Sequence, residues 1–159
     1  MRKLRIYLET TAFNYYFDAD REGHNDVVRL FDAIGAGFYE GYASRYVVEE
    51  LNVAPEPKRT NMLGLIERYH LITLWPAPTV RRLAELYIAN GIIPASHRYD
   101  SVHIATASVH GLDCIVSYNF QHINRSKTRL LTRSVNAEEG YDSVIICTAG
   151  EVLNDEHDL

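Results

Sequence analysis

The sequence predicts an α/β fold in which a central, mostly parallel sheet is flanked by helices. Three observations carry this expectation. Strand-like and helical segments alternate along the chain, each strand is a short continuous apolar run without polar alternation, and Gly or Pro marks the joints. A strand that is apolar on both sides has to be covered on both sides. At 159 residues, 47% hydrophobic and 23% charged, the chain can bury one sizeable core, so a single domain over 1–159 is expected.

The first strand is read over 4–8. Residues 20–24 break the pattern, and Val27, Leu30, Phe31 and Ile34 then recur at helical spacing. A second strand over 38–43 leads to Ser44, well placed to cap a helix carrying Tyr46, Val47, Glu50 and Leu51. Pro55 and Pro57 end that helix. A helix over 59–69 runs into strand-like 70–74, closed by Pro76 and Pro78, and a helix over 79–90 stops at Gly91. After Pro94, a helix over about 99–110 ends at Gly111 and feeds 114–117, the most strand-like segment of the chain. Only Val144, Ile145 and Ile146 rival it. No repeat, low-complexity tract or linker interrupts the series.

A formal charge of -5 and a pI near 5.8 give no general attraction for phosphate. Contact with nucleic acid would therefore rest on local patches such as Arg125, Lys127, Arg129 and Arg133, a stretch that a solvated helix face explains equally well. No apolar run approaches the ~20 residues that span a bilayer, and the opening Met1-Arg2-Lys3-Leu4 does not read as a secretory leader. A cytoplasmic protein with no membrane partner is expected. Cys114 and Cys147 lie inside apolar runs, where cysteine behaves as a small hydrophobe, so neither a zinc site nor a disulfide is expected.

In open parallel sheets, ligands bind beyond the carboxyl ends of the strands. Glu9 ends the first strand, Glu50 lies on the helix after the second, Asp100 opens the helix before the fourth, and Asn119 follows the fourth. Oxygen donors gathered there would suit Mg²⁺ or Mn²⁺, which polarise a phosphodiester and lower the pKa of a bound water. Taken singly, Glu9 and Asp100 are explained as well by ordinary helix-terminal charges. Glu49 and Glu50 are neighbours on a helix and point apart, so only one can face the site, and Glu50 beside Leu51 is the choice.

Other residues carry double readings. His103, one turn beyond Asp100, either braces that carboxylate, touches substrate or makes a structural hydrogen bond. Thr10 and Asn14 are supporting or capping residues. Tyr15, Tyr16 and Tyr118 stack on unpaired bases or complete a core.

The segments resemble a known family. Ile6 to Thr11 is similar to the opening strand of PIN domains, in which an acid is followed by Ser or Thr, and Tyr46, Val47, Val48, Glu50 and Leu51 are similar to their second acidic segment. The run from Asp100 to Ala107, then Gly111-Leu112-Asp113, Ile115 to Phe120 and His122-Ile123, resembles the third and fourth acidic segments of VapC-type toxins. Thr148 to Glu151 resembles the family's closing strand and turn. The resemblance implies a three-layer PIN-like fold and a Mg²⁺- or Mn²⁺-dependent ribonuclease. It makes Glu9, Glu50, Asp100 and Asn119 the catalytic and metal-holding positions. It also implies RNA as substrate, a cognate antitoxin as partner, and a homodimer. Two positions depart from the family pattern: Glu9 stands for the usual Asp, and Asn119 replaces an acid with an amide that still offers a carbonyl oxygen. The Asn119 departure also admits a PIN-fold module that binds RNA or protein without turnover.

Competing chemistries lack their signatures. No G-x-G-x-x-G follows the first strand and no G-x-x-x-x-G-K-[ST] occurs, which removes a Rossmann dehydrogenase and a P-loop nucleotidase. An aspartyl-phosphate enzyme would want Asp where Glu9 stands.

Overall fold

The computed structural model describes residues 2–155. Its strands are β1 (Arg5–Leu8), β2 (Glu40–Ser44), β3 (Ile72–Leu74), β4 (Cys114–Val116) and β5 (Ile145–Cys147). They form a five-stranded sheet in the order β3-β2-β1-β4-β5, every neighbouring pair parallel. The sheet therefore switches direction of growth between β1 and β4, where Ile6 faces Cys114 and Leu8 faces Val116. Outside the carboxyl ends of those two strands lies the crevice in which α/β sheets bind ligands.

The helices are α1 (Thr10–Phe17), α2 (His24–Gly35), α3 (Arg45–Asn52), α4 (Lys58–Arg68), α5 (Pro78–Ala89), α6 (Arg98–Val109), α7 (Ser126–Glu139) and α8 (Ala149–Asp155). In one layer α2 packs on α1, α8 and β2; in the other α5 packs on α6 and α7. Between them Ile6, Tyr7, Leu8, Ile115 and Val116 are fully buried, as strands enclosed on both faces must be. Cys114 and Cys147 are buried at opposite ends of neighbouring strands, Cys114 beside Ile145 and Cys147 beside Val116.

Most boundaries lie within two residues of the sequence reading, as hydrogen-bond patterns decide the last residue of an element. Two elements differ more. The segment after β1 turns directly into α1, a helix rich in aromatic residues of modest helix propensity, and the chain breaks only after Phe17. What starts it is the Glu9 side chain, which accepts from the backbone N–H of Thr11. At the other end, residues 148–151 are not a strand and turn. Thr148 Oγ1 accepts from the Glu151 N–H at 3.3 Å while the Glu151 carboxylate accepts from the Thr148 N–H at 3.1 Å, a reciprocal cap that opens α8.

Close packing beneath β2 depends on Gly41. A Cβ there would lie 2.6 Å from Leu71 Cδ2 and 2.8 Å from Ile34 Cγ2, inside the contact distance of both side chains. Gly41→Ala should overpack this joint and lower stability by about 1–3 kcal/mol. Urea denaturation with an unchanged m-value and a lower midpoint is the expected result, and an unaltered midpoint would show that Ile34 and Leu71 yield freely.

Candidate metal centre

Because the strands are parallel, Glu9, Ser44 and Ser117 all emerge at one edge of the sheet, at the ends of β1, β2 and β4. Helix α6 carries the chain back to the start of β4. Its twelve residues span roughly 18 Å at 1.5 Å each, which returns its first turn, and Asp100 within it, to that same edge.

Glu9 sits at the switch point. Its N–H donates to Val116 O at 3.1 Å, and its side chain is only 3% exposed. Oε1 accepts from Ser117 Oγ at 2.6 Å and from Thr11 Oγ1 at 2.6 Å; Oε2 accepts from the Thr11 N–H at 3.1 Å. Thr11 Oγ1 in turn accepts from the Tyr118 N–H at 2.8 Å, so the carboxylate ties β1 and α1 to the loop after β4. Burial pushes the Glu9 carboxyl above its usual range, an effect that the charge of His103 and the hydroxyls of Ser117 and Thr11 only partly offset.

Glu50, in the last turn of α3, points into the same space, whereas Glu49 turns away and accepts from Tyr99 OH at 2.6 Å. Glu50 Oε1 accepts from Thr10 Oγ1 at 2.7 Å and from His103 Nε2. His103 is fully buried on α6, and its Nδ1 bonds Tyr7 OH at 2.7 Å, itself 2.7 Å from Ser44 Oγ. A chain Ser44, Tyr7, His103, Glu50 thus runs from the end of β2 through the core to the site. The histidine braces Glu50 rather than its own helix neighbour Asp100. Burial alone would lower the His103 pKa, but its hydrogen bond to Glu50 and the charges of Glu50, Glu9 and Asp100 outweigh burial and raise it. Burial likewise pushes Glu50 up, and here the bonds from His103 and Thr10 win, holding it below the usual carboxylate range. Both directions favour the charged forms of the pair, His103 with its proton and Glu50 without.

One donor atom from each of Glu9, Glu50 and His103 lies within 4.8 Å of the other two. Asp100 stands beside this group, its side chain 13% exposed. Burial raises the Asp100 carboxyl, with Glu50 adding to the rise while His103, the Asn119 amide and His122 oppose it. Asn119 does not present its carbonyl to this space. Oδ1 accepts from the His122 N–H at 3.0 Å, which fixes the amide's orientation, and the amide acts to lower the Asp100 carboxyl, though less than burial raises it.

Asp100 belongs instead to a second group: one donor atom from each of His97, Asp100 and His122 lies within 4.8 Å of the others. Sequence reasoning passed over His97 and His122. The first stands outside any apolar pattern, and only the i, i+3 spacing of His97 and Asp100 could have signalled the pair.

The donor set fits a hard divalent cation. Glu9 and Glu50 lie together with His103, Asp100 lies close enough to feel the Glu50 charge, and burial above all raises the Glu9 and Asp100 carboxyls while the Glu50 side chain stays 31% exposed. Thr10 supports Glu50, as noted, while Asn14 bonds only the Thr10 carbonyl, at 3.3 Å. Tyr15 stacks on Tyr118 with centroids 4.1 Å apart, and Tyr118 OH accepts from the Ala149 N–H. Tyr16 instead joins Tyr69 and Phe31 in the core layer. Of the basic stretch, Arg125 and Arg129 are engaged locally, with Ile92 O and Thr128 and with Asn124 and Ser126.

The PIN domain family model matches residues 6–127, which takes in β1 through the start of α7. Among solved structures, a chain of VapBC2 from Rickettsia felis, bound to a DNA fragment from their promoter, is similar with a TM-score of 0.56. At 14% identity it covers 90% of this chain and 97% of its own, a likeness of fold. No curated protein matches the chain.

Two outcomes test the electrostatics. Asn119→Asp keeps the acceptor for the His122 N–H but sets an acceptor in place of a donor against Asp100, so the metal-free variant should lose about 1–3 kcal/mol at neutral pH. Millimolar-order Mn²⁺ should recover the loss in thermal melts; a variant as stable as wild type without metal would remove Asn119 from contact with Asp100. The second concerns pH. A raised His103 pKa contributes stability present below the unfolded value near 6.5 and lost as pH rises through the folded value. Raised Glu9 and Asp100 pKa values act in the same sense but over a window that opens lower, at the ordinary carboxylate values, so the slope above neutrality is assigned to His103. The metal-free protein should therefore be less stable at about pH 8.5 than at about pH 6.5, and His103→Gln should flatten that slope.

Proposed function

The chain belongs to the PIN domain family, and from that premise we propose that it is a divalent-metal-dependent endoribonuclease that hydrolyses RNA phosphodiesters at Glu9, Glu50 and Asp100. The observation that carries the proposal is the cluster itself: Glu9 and Glu50 gathered with His103 at the switch point of a parallel sheet, with Asp100 beside them and burial raising the Glu9 and Asp100 carboxyls.

In this reading Glu9, Glu50 and Asp100 hold Mg²⁺ or Mn²⁺. Such an ion supplies Lewis acidity toward a phosphodiester and brings the pKa of a water toward neutrality. The protein's part is positioning. Ser117 and Thr11 fix the Glu9 carboxylate, Thr10 and His103 fix Glu50 and favour its charged form, and the Asn119 amide favours the charged form of Asp100 against the larger effect of burial. A surface cleft lined by Tyr15, Arg21, Tyr118 and Phe120, with the acids Glu22 and Asp26 also on its wall, begins one residue from Ser117. Its stacked rings suit an unpaired base, which supports single-stranded RNA as substrate, while the Arg21 guanidinium is paired with Asp18 at 3.1 Å.

The likeness to VapBC2 supports a toxin-type role with a cognate antitoxin as partner and a second copy of the chain in the assembly. Among the described residues no helix is long and apolar enough to cross a membrane, which fits action in the cytoplasm. One observation favours a second reading, a PIN-fold module that binds RNA or protein without turnover: the carbonyl of Asn119, in the family's fourth acidic position, is committed to the His122 N–H.

Incubating the purified protein with a mixed RNA pool decides between them. Wild type should give Mn²⁺- or Mg²⁺-dependent fragments, and Asp100→Asn should slow their appearance by roughly 100-fold or more, a few kcal/mol of lost charge stabilisation. In parallel, millimolar-order Mn²⁺ should raise the thermal midpoint of wild type and raise that of Asp100→Asn less. A thermal shift without cleavage selects the binding module. Cleavage indifferent to metal or to Asp100→Asn sinks the assignment.

A further inference from the structure

We propose that His97, Asp100 and His122 form a distinct site for a divalent cation of borderline softness, of the Zn²⁺, Co²⁺ or Ni²⁺ class, beside the carboxylate cluster. The donors converge from three places. His97 closes the 3-10 turn Ala95–His97, Asp100 lies in the first turn of α6, and His122 belongs to the loop after β4. His97 Nδ1 is 3.7 Å from Asp100 Oδ2, the two imidazole centroids are 4.1 Å apart, and a donor atom of each residue is within 4.8 Å of the other two.

The independent observation is His122. Its residue is 9% exposed, yet both ring nitrogens are buried and neither has a hydrogen-bond partner among the described residues. A buried imidazole ordinarily gives at least one nitrogen a partner, because leaving a polar atom dry and unpaired costs about 1–3 kcal/mol. Here the ring is held in that position from its backbone: the His122 N–H donates to Asn119 Oδ1 at 3.0 Å and its carbonyl accepts from Thr128 Oγ1 at 2.6 Å. The loop thus presents an imidazole to His97 and Asp100 with its nitrogens unused. A cation bound to one of them supplies the missing partner.

The ligand set chooses the ion. Mg²⁺ takes oxygen donors and keeps its water, whereas two imidazoles with one carboxylate suit Zn²⁺ and its neighbours, as in three-ligand zinc sites that leave a position open. His97 is exposed, its side chain at 47%, so an ion has a path in. The group of His97, Asp100 and His122 is separate from that of Glu9, Glu50 and His103, and no ligand atom is common to the two. Asn119, by holding the His122 backbone and facing Asp100, serves this arrangement without being a ligand.

Co²⁺ reports on such a site without RNA, so its outcome is separate from that of the nuclease reading. Metal-free protein titrated with Co²⁺ should bind one equivalent with a visible ligand-field band that Zn²⁺ abolishes and millimolar-order Mg²⁺ does not. His97→Ala, at an exposed position, and His122→Leu should each weaken Co²⁺ affinity by at least about tenfold, the lower limit seen when even an outer partner of a metal ligand is lost. Glu50→Gln should retain the band. A band that survives both histidine variants, or that Mg²⁺ displaces, or that disappears in Glu50→Gln while surviving His97→Ala, places the ion in the carboxylate cluster and overturns the proposal.

Discussion

A carboxylate buried where β1 and β4 end sets the conditions for the rest of this fold. Glu9 is nearly dry, and a carboxylate in that position must be hydrogen-bonded or neutral. Ser117 and Thr11 satisfy it, and in doing so they start α1, orient the loop after β4 and pull the Tyr118 N–H into the same network. Local structure and site chemistry are thus one arrangement. The sheet's switch point opens a crevice, and the hydrogen bonds that line it are those that hold the flanking elements in register.

The charge in that crevice is balanced from inside the core. His103, fully enclosed, accepts the cost of burial because Glu50 is bonded to it and Glu9 and Asp100 lie near. Its other nitrogen meets Tyr7, which meets Ser44, the cap of α3. The helix bearing Glu50 and the histidine that favours the charged form of Glu50 are therefore anchored to one another through β1 and β2. Such a network leaves little freedom for its members to reorient, which is what a site that must hold like charges together requires.

Much of the fold was legible in the chain, for physical reasons. Strands buried on both faces have to be continuous apolar runs, so β1 and β4 announce themselves, the edge strand β5 is marked by its β-branched run although Ile145 is exposed, and Ser44 before an apolar-periodic segment announces α3. Helix α1 did not, since what nucleates it is a carboxylate whose capping role exists only once Ser117 and Thr11 surround it. The cap at Thr148 had the spacing of a capping box, but its neighbourhood to β5 disguised it as a strand end.

For the candidate site, residue type and position along the chain identified Glu9, Glu50 and Asp100 as acids at strand ends or on flanking helices, and separated Glu50 from Glu49. What each atom faces was decided by tertiary structure. His103 binds across to α3 rather than along its own helix, Asn119 turns its carbonyl to a backbone N–H, and His122 is left buried with its nitrogens unpaired among the described residues. Spacing along the sequence fixes which side of a helix or strand a residue occupies, because backbone periodicity is local. Which partner a polar atom finds there depends on segments tens of residues away, brought within hydrogen-bond range only when the sheet closes.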